Sequence, residues 1–301
     1  MNLREKLAAN KFVVTVELDP PQTLNLDKIL NEVNSPNFRK VVDAVNVTDC
    51  PLAKLRMSPI ALSHIIQEKI GLETIFHITC RDRNLLGLQA ELLGASALGV
   101  KNILALTGDP PEMGDYIKAT GVYDVDSVGL IKMVNSLNNG YKYLNGDLMD
   151  KTDFFVGAAV NPTALDPKKE IERFEEKVSA GINFVQTQPI YDLGLLEKFL
   201  KITSRIKIPK IIGIMPLKSY KMVDYINKNL PGILIPSRVK ERMKGKDVEE
   251  GIKIAHEIIE EIRKFKEVAG IHIFPLRDMD LVCRLLTVSY THLTLPTICS
   301  V

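Results

Sequence analysis

The chain has 301 residues, of which 46% are hydrophobic and 25% charged, and its formal net charge is +2. That balance is ordinary for a globular protein and excludes a broad electrostatic surface for nucleic acid. No apolar run approaches the roughly 20 residues that cross a bilayer, so no membrane role is expected. The length suits one large core, and α/β barrels commonly reach this size as a single domain.

Residues 1–6 read as the start of a short amphipathic helix and lack the apolar centre of a signal peptide. Cys50, Cys80, Cys283 and Cys299 have neither close pairing nor metal-ligand spacing. Reduced thiols, a cytoplasmic location and no bound metal are expected.

The β-branched run 12–18 reads as the first strand and stops at Pro20 and Pro21, which cannot donate to a sheet ladder. Glu17 therefore stands where a buried strand opens into a loop. Further strand-like runs follow at 41–47, 73–78, 101–106, 154–160, 183–187, 210–215 and 270–273. Helical patterns fall between them at 59–70, 83–98, 127–138, 167–180, 193–206 and 248–268. Strands alternating with helices indicate βαβ units with right-handed crossovers, and eight such units favour a closed (β/α)8 TIM barrel in one α/β domain. Gly71, Gly99, Gly181 and Gly270 read as glycines that close helices before the next strand. The least regular stretch, 108–126, follows the fourth strand, where a long loop is more often functional than idle.

In a parallel barrel the chemistry collects at the C-terminal ends of the strands. Those positions carry Glu17, Asn46 to Asp49, His77 with Thr79, Thr107 to Asp109, Asn161, Gln186 to Gln188, Met215 and His272. Buried polar groups without partners cost about 1–3 kcal/mol each, and a polar ligand in the mouth would supply those partners.

From Val288 onward the chain becomes Thr-rich and loses helical period. It matches an in-frame translation of a common transposase sequencing adapter. The native domain is accordingly expected to be 1–287, and 288–301 a non-native tail in which His292 and Cys299 carry no role.

Three motifs occur in order: Val16-Glu17-Leu18-Asp19-Pro20-Pro21, His77-Ile78-Thr79-Cys80 and Leu106-Thr107-Gly108-Asp109-Pro110-Pro111. Each is weak alone, but the ordered set over about residues 10–286 resembles the methylenetetrahydrofolate reductase family. The resemblance implies a flavin-containing barrel that reduces 5,10-methylenetetrahydrofolate to 5-methyltetrahydrofolate in one-carbon metabolism. It implies FAD, with FMN as the alternative, and NADH or NADPH as donor, bound in the folate's place in ping-pong exchange. It also implies Glu17 as the general acid and Asp109 as a carboxylate close to flavin and folate. Gln188 would contact the pterin and the nicotinamide. Thr48, His77, Thr107, Gly108 and Lys177 would contact the flavin, while Tyr220 and Arg277 would line the folate site.

Read by their own chemistry, the same residues have plainer roles. Glu17 could be a loop carboxylate in an ion pair, Asp109 a turn former, Gln188 a loop cap, His77 a structural histidine and Lys177 a solvated helix lysine. Thr107 stands where flavin-binding members often carry arginine, and Pro189 where an aromatic residue often follows the glutamine, so the grip on the cofactor is expected to be altered. Two rival readings remain: the same chemistry with electrons from a partner subunit, and a non-redox pterin-binding barrel of a methyltransferase system. A homo-oligomer is compatible with all three.

Overall fold

The computed structural model describes residues 1–291 apart from Asn145, Met149 and Pro231; the side chains of 287–291 are also outside the description. Eight strands form a closed, wholly parallel barrel in chain order: β1 Val13–Leu18, β2 Ala44–Val47, β3 Glu73–Thr79, β4 Asn102–Leu106, β5 Phe155–Val160, β6 Phe184–Pro189, β7 Lys210–Ile214 and β8 Val268–Ile273. The barrel closes where Thr15 of β1 pairs with His272 of β8. The expected single-domain (β/α)8 architecture is therefore present. Among the described residues, no helix is long and apolar enough to cross a membrane.

Two expectations are corrected. The second strand covers 44–47 rather than 41–47, because Pro36–Val41 is helical. Ser35 caps that helix by accepting from Phe38 N at 3.4 Å, and Pro36 fits its first turn, which overrides the β-branched pair Val41 and Val42. Gly270 does not close a helix; it lies inside β8, where an added Cβ would fall 2.2 Å from the Val13 carbonyl oxygen. Its missing side chain lets β8 approach β1 at the seam. Gly71, Gly99 and Gly181 do adopt left-handed φ of 69°, 74° and 101° before their strands. The helices Asp27–Val33, Tyr220–Asn229 and Ser237–Arg242 were not anticipated. The last helix, Met279–Thr291, includes the backbone of 288–291, whereas 292–301 of the expected tail lie outside the described residues.

Alternation along each strand sorts the side chains into an outer apolar shell and an inner column. The outer shell, for example Val14, Val16, Val45, Val47, Phe76 and Ile78, packs under the helices. The column has three levels. At its base Ile75, Phe155, Phe184 and Ile211 meet Leu3 and Leu7 from the helix Leu3–Ala8, which plugs the barrel. The Phe155 and Phe184 rings stack at 5.2 Å, and Gly157 leaves room for Phe184, whose ring would lie 2.3 Å from an added Cβ. The plug is fastened where Leu3 N donates to Glu73 Oε2 at 2.7 Å and Arg4 pairs with Asp153 at 2.7 Å. Thr15, Asn46, His77, Gln186 and His272 form the middle level, and Glu17, Thr48, Thr79 and Gln188 the top.

Candidate active site

A strand fully buried on both faces is normally apolar throughout. Here β1, β3, β6 and β2 with the residue that follows it each carry two polar residues spaced by two: Thr15 with Glu17, His77 with Thr79, Gln186 with Gln188, and Asn46 with Thr48. Period-two geometry sends both members of each pair into the barrel, one above the other. The upper members open into a cavity of about 870 Å³ at the C-terminal mouth. Leu104, Leu106, Ala159, Met215 and Phe274 supply apolar wall, while Glu17, His77 and Gln188 add polar groups. A second lobe of about 470 Å³ adjoins it and shares Glu17, Asp19, Arg56 and Arg277.

Among the described residues the Glu17 carboxyl makes no hydrogen bond or ion pair. Burial, followed by repulsion from Asp19, raises its pKa from 4.5 to about 8. Asp19 itself accepts from Thr48 Oγ1 at 3.0 Å and from Arg277 Nε at 3.3 Å. Thr48 and Arg277 are thereby joined across the rim by one carboxylate. Arg277, with a left-handed φ of 64°, remains largely exposed and lines both lobes.

Asp109 and Gly108 begin the long loop after β4. Gly108 has φ 96°, and an added Cβ would lie 2.9 Å from Thr79 Cβ, so both conformation and space require glycine. Asp109 Oδ2 accepts from Leu52 N at 2.8 Å, while its carbonyl accepts from Tyr123 Oη at 3.0 Å. The carboxylate thus ties the loop after β4 to the loop after β2, where Cys50, Leu52 and Ala53 are left-handed. Thr107 Oγ1 accepts from Ser127 N at 3.2 Å at the start of the helix Ser127–Asn138.

His77 is buried, and burial lowers its pKa to about 4, so the ring is neutral. The Gln188 amide lines the cavity and has no hydrogen bond among the described residues.

Two of the expected contact residues lie away from the cavity wall. Lys177, buried on the helix Pro167–Ala180, donates from Nζ to the Ala159 carbonyl at 2.7 Å. Tyr220 starts the helix Tyr220–Asn229, with Lys240 Nζ 5.5 Å above its ring. Glu17, Thr48, His77, Thr107, Gly108, Asp109, Gln188 and Arg277 all come together around the mouth.

Sequence reading missed the support beneath them. Buried Asp49 accepts from Thr79 N and Oγ1, both at 2.9 Å, and pairs with Arg83 at 2.8 Å, which joins the tips of β2 and β3. The same reading named Asn46, His77, Gln186 and His272 of the middle level but not Thr15 or the hydrogen bonds that join them, although the paired polar spacing in four strands was a visible signal.

Comparison with known proteins bears on this geometry. The family profile described as methylenetetrahydrofolate reductase matches residues 2–289. Methylenetetrahydrofolate reductase 2 of Schizosaccharomyces pombe is 24% identical over 281 residues, covering 89% of this chain and 43% of that protein. The 5,10-methylenetetrahydrofolate reductase of Salmonella typhimurium is 26% identical over 250 residues, covering 78% of this chain and 74% of that one. The chain spans less than half the length of the eukaryotic relatives it matches. A solved structure from Clostridium thermocellum, described as binding two copies of 5-methyl-5,6,7,8-tetrahydrofolic acid, superposes with a TM-score of 0.67 over 96% of this chain and 99% of its own. It is 15% identical, so the likeness concerns the fold. The profile match runs through every strand of the barrel and each motif at its mouth, and the chain belongs to the methylenetetrahydrofolate reductase family.

Proposed function

We propose that this chain reduces 5,10-methylenetetrahydrofolate to 5-methyltetrahydrofolate in the barrel mouth. The observation that carries the reading is Glu17: family membership predicts an acid there, and the mouth raises its pKa to about 8. At neutral pH the protonated form then prevails roughly tenfold, which is the state an acid catalyst needs.

The cavity fits a flavin in kind. A flat heterocycle needs apolar surface against its faces and hydrogen-bonding groups at its edge. Leu104, Leu106 and Ala159 offer the first, while His77 and Gln188 offer the second. FAD is the preferred group and FMN the alternative; bound there, it would supply hydride taken from NADH or NADPH. Thr48, His77, Thr107, Gly108 and Asp109 would hold it. Lys177 would support the wall through Ala159.

The chain's own groups divide the remaining work. Glu17 delivers a proton to the folate nitrogen that departs when the five-membered ring opens. The Asp109 carboxylate stabilises the positive charge that opening creates. Gln188 matches donors and acceptors along the pterin edge, and Arg277 pairs with the carboxylate tail of the folate.

The test is a visible spectrum of purified protein with and without added FAD, followed by turnover of 5,10-methylenetetrahydrofolate with NADH and with NADPH. Bleaching by a nicotinamide and recolouring by the folate are expected. Turnover with a chemical reductant alone would move the electron source to a partner subunit. No turnover with any reductant would overturn the proposal.

A further inference from the structure

Beneath the mouth lies a layer of buried side chains of which the steps above use only His77. Asn46 on β2 and Gln186 on β6 exchange two hydrogen bonds across the barrel. Asn46 Nδ2 donates to Gln186 Oε1 at 2.7 Å, and Gln186 Nε2 donates to Asn46 Oδ1 at 3.1 Å. Each amide nitrogen has a second hydrogen to place. That of Asn46 goes to His77 Nε2 at 3.1 Å, and that of Gln186 to Thr15 Oγ1 at 3.1 Å. Thr15 Oγ1 in turn lies 2.9 Å from His272 Nδ1. All five side chains are buried, so water cannot substitute for a missing partner without cost.

For this orientation of the two amides, proton counting sets both imidazoles. His77 Nε2 accepts, so its ring proton is on Nδ1. Thr15 accepts from Gln186, and its own hydroxyl hydrogen has two acceptors in reach, the Ile271 carbonyl at 3.4 Å and His272 Nδ1 at 2.9 Å; the shorter contact directs it to His272 Nδ1, which puts the His272 proton on Nε2. Turning one amide alone would set two carbonyl oxygens or two N–H groups against each other; the reverse arrangement requires both amides to turn and both rings to exchange tautomers. His77 borders the cavity, and Nδ1 has no hydrogen-bond partner among the described residues.

We propose that the Asn46–Gln186 pair is a positioning element that holds His77 as its Nδ1–H tautomer and offers that N–H to an acceptor atom on a heterocycle in the mouth. The acceptor required is an imine-type ring nitrogen or a ring carbonyl. That this heterocycle is a flavin or a folate rests on the reading under Proposed function; the tautomer does not.

The experiment uses full-length protein with ¹⁵N-labelled imidazoles, whose two-bond proton–nitrogen correlations distinguish the tautomers of the five histidines. His77→Gln assigns the His77 signals. In the parent protein, His77 is expected to show a protonated Nδ1 and bare Nε2, and His272 the opposite. Gln186→Met removes both amide arms and is expected to shift His77 from a single tautomer to an averaged pattern. Thr15→Val, close to isosteric, is expected to change His272 alone. A parent His77 protonated on Nε2, or a His77 pattern unchanged in a folded Gln186→Met protein, overturns the inference. Should Gln186→Met fail to fold, the parent protein decides alone: a His77 protonated on Nε2 overturns the inference. A final titration with FAD and with 5-methyltetrahydrofolate follows the His77 Nδ1–H proton. If the tautomers are as expected and neither ligand shifts that proton, the functional reading of the site fails while the positioning role stands.

Discussion

Replacing Glu17 by Gln removes a carboxyl whose proton the folded protein holds unusually tightly, and the effect is readable without substrate. The folded pKa is about 8 against an ordinary value of 4.5. Between those values the native state binds a proton that the unfolded chain has released, so parent stability falls as pH rises through this window. At about 1.4 kcal/mol per pH unit the interval corresponds to at most about 5 kcal/mol above pH 8. The mouth is open to solvent, so roughly half of that is the working figure. Gln cannot titrate. The stability of Glu17→Gln relative to the parent should therefore increase by about 2–3 kcal/mol between about pH 5 and pH 9. Urea unfolding curves of both proteins across that range give the difference directly, with other titrating groups largely cancelling. A difference that stays constant with pH means the carboxyl titrates normally, which refutes the argument for a protonated acid at neutral pH. In the enzymatic assay the same variant should lose folate reduction and keep flavin reduction by the nicotinamide.

Other perturbations probe separate parts of the site. Gly108→Ala forces a Cβ to 2.9 Å from Thr79 Cβ at a φ of 96°, and should cost about 1–3 kcal/mol by thermal unfolding and weaken flavin retention on gel filtration. Asp49→Ala leaves Arg83 half-buried without its counter-ion and should cost about 3 kcal/mol or more in denaturant titration. Lys177→Met deprives the Ala159 carbonyl of its donor; about 1–2 kcal/mol of stability should go, while FAD affinity measured by fluorescence quenching changes less than about tenfold. Asp109→Asn keeps an acceptor for Leu52 N and removes the charge, so the loop should stay in place while rapid-mixing kinetics show folate reduction slowed more than flavin reduction.

The barrel was legible because its signals are local and repeated. β-Branched runs, intervening helical periods and left-handed glycines at Gly71, Gly99 and Gly181 recur at regular spacing. Where a local preference competed with packing, the reading slipped. Val41 looks like strand by propensity, yet the Ser35 cap and Pro36 commit it to a helix. Gly270 looks like a helix terminus, but its function is the seam between the first and last strands, a contact between residues more than 250 positions apart. Glu17, His77, Thr107, Gly108 and Asp109 were recognisable because motifs fix their places at the ends of β1, β3 and β4. Nothing local to Lys177 reveals that its amine ends on a strand carbonyl, and nothing local to Asp19 reveals that it joins Thr48 to Arg277. Those are products of closure in three dimensions.

The plugged base has a consequence for how the molecule is made. Leu3 and Leu7 precede all eight strands in the chain, yet their seat is built from strands that span most of it, and β1 gains its second neighbour only when β8 arrives. A segment made before any strand must therefore wait for the last strand, with its apolar face uncovered meanwhile. Such long-range pairing makes assembly slow and exposes intermediates to aggregation. Yield should thus depend on chaperone capacity and growth temperature more than the stability of the finished protein would suggest.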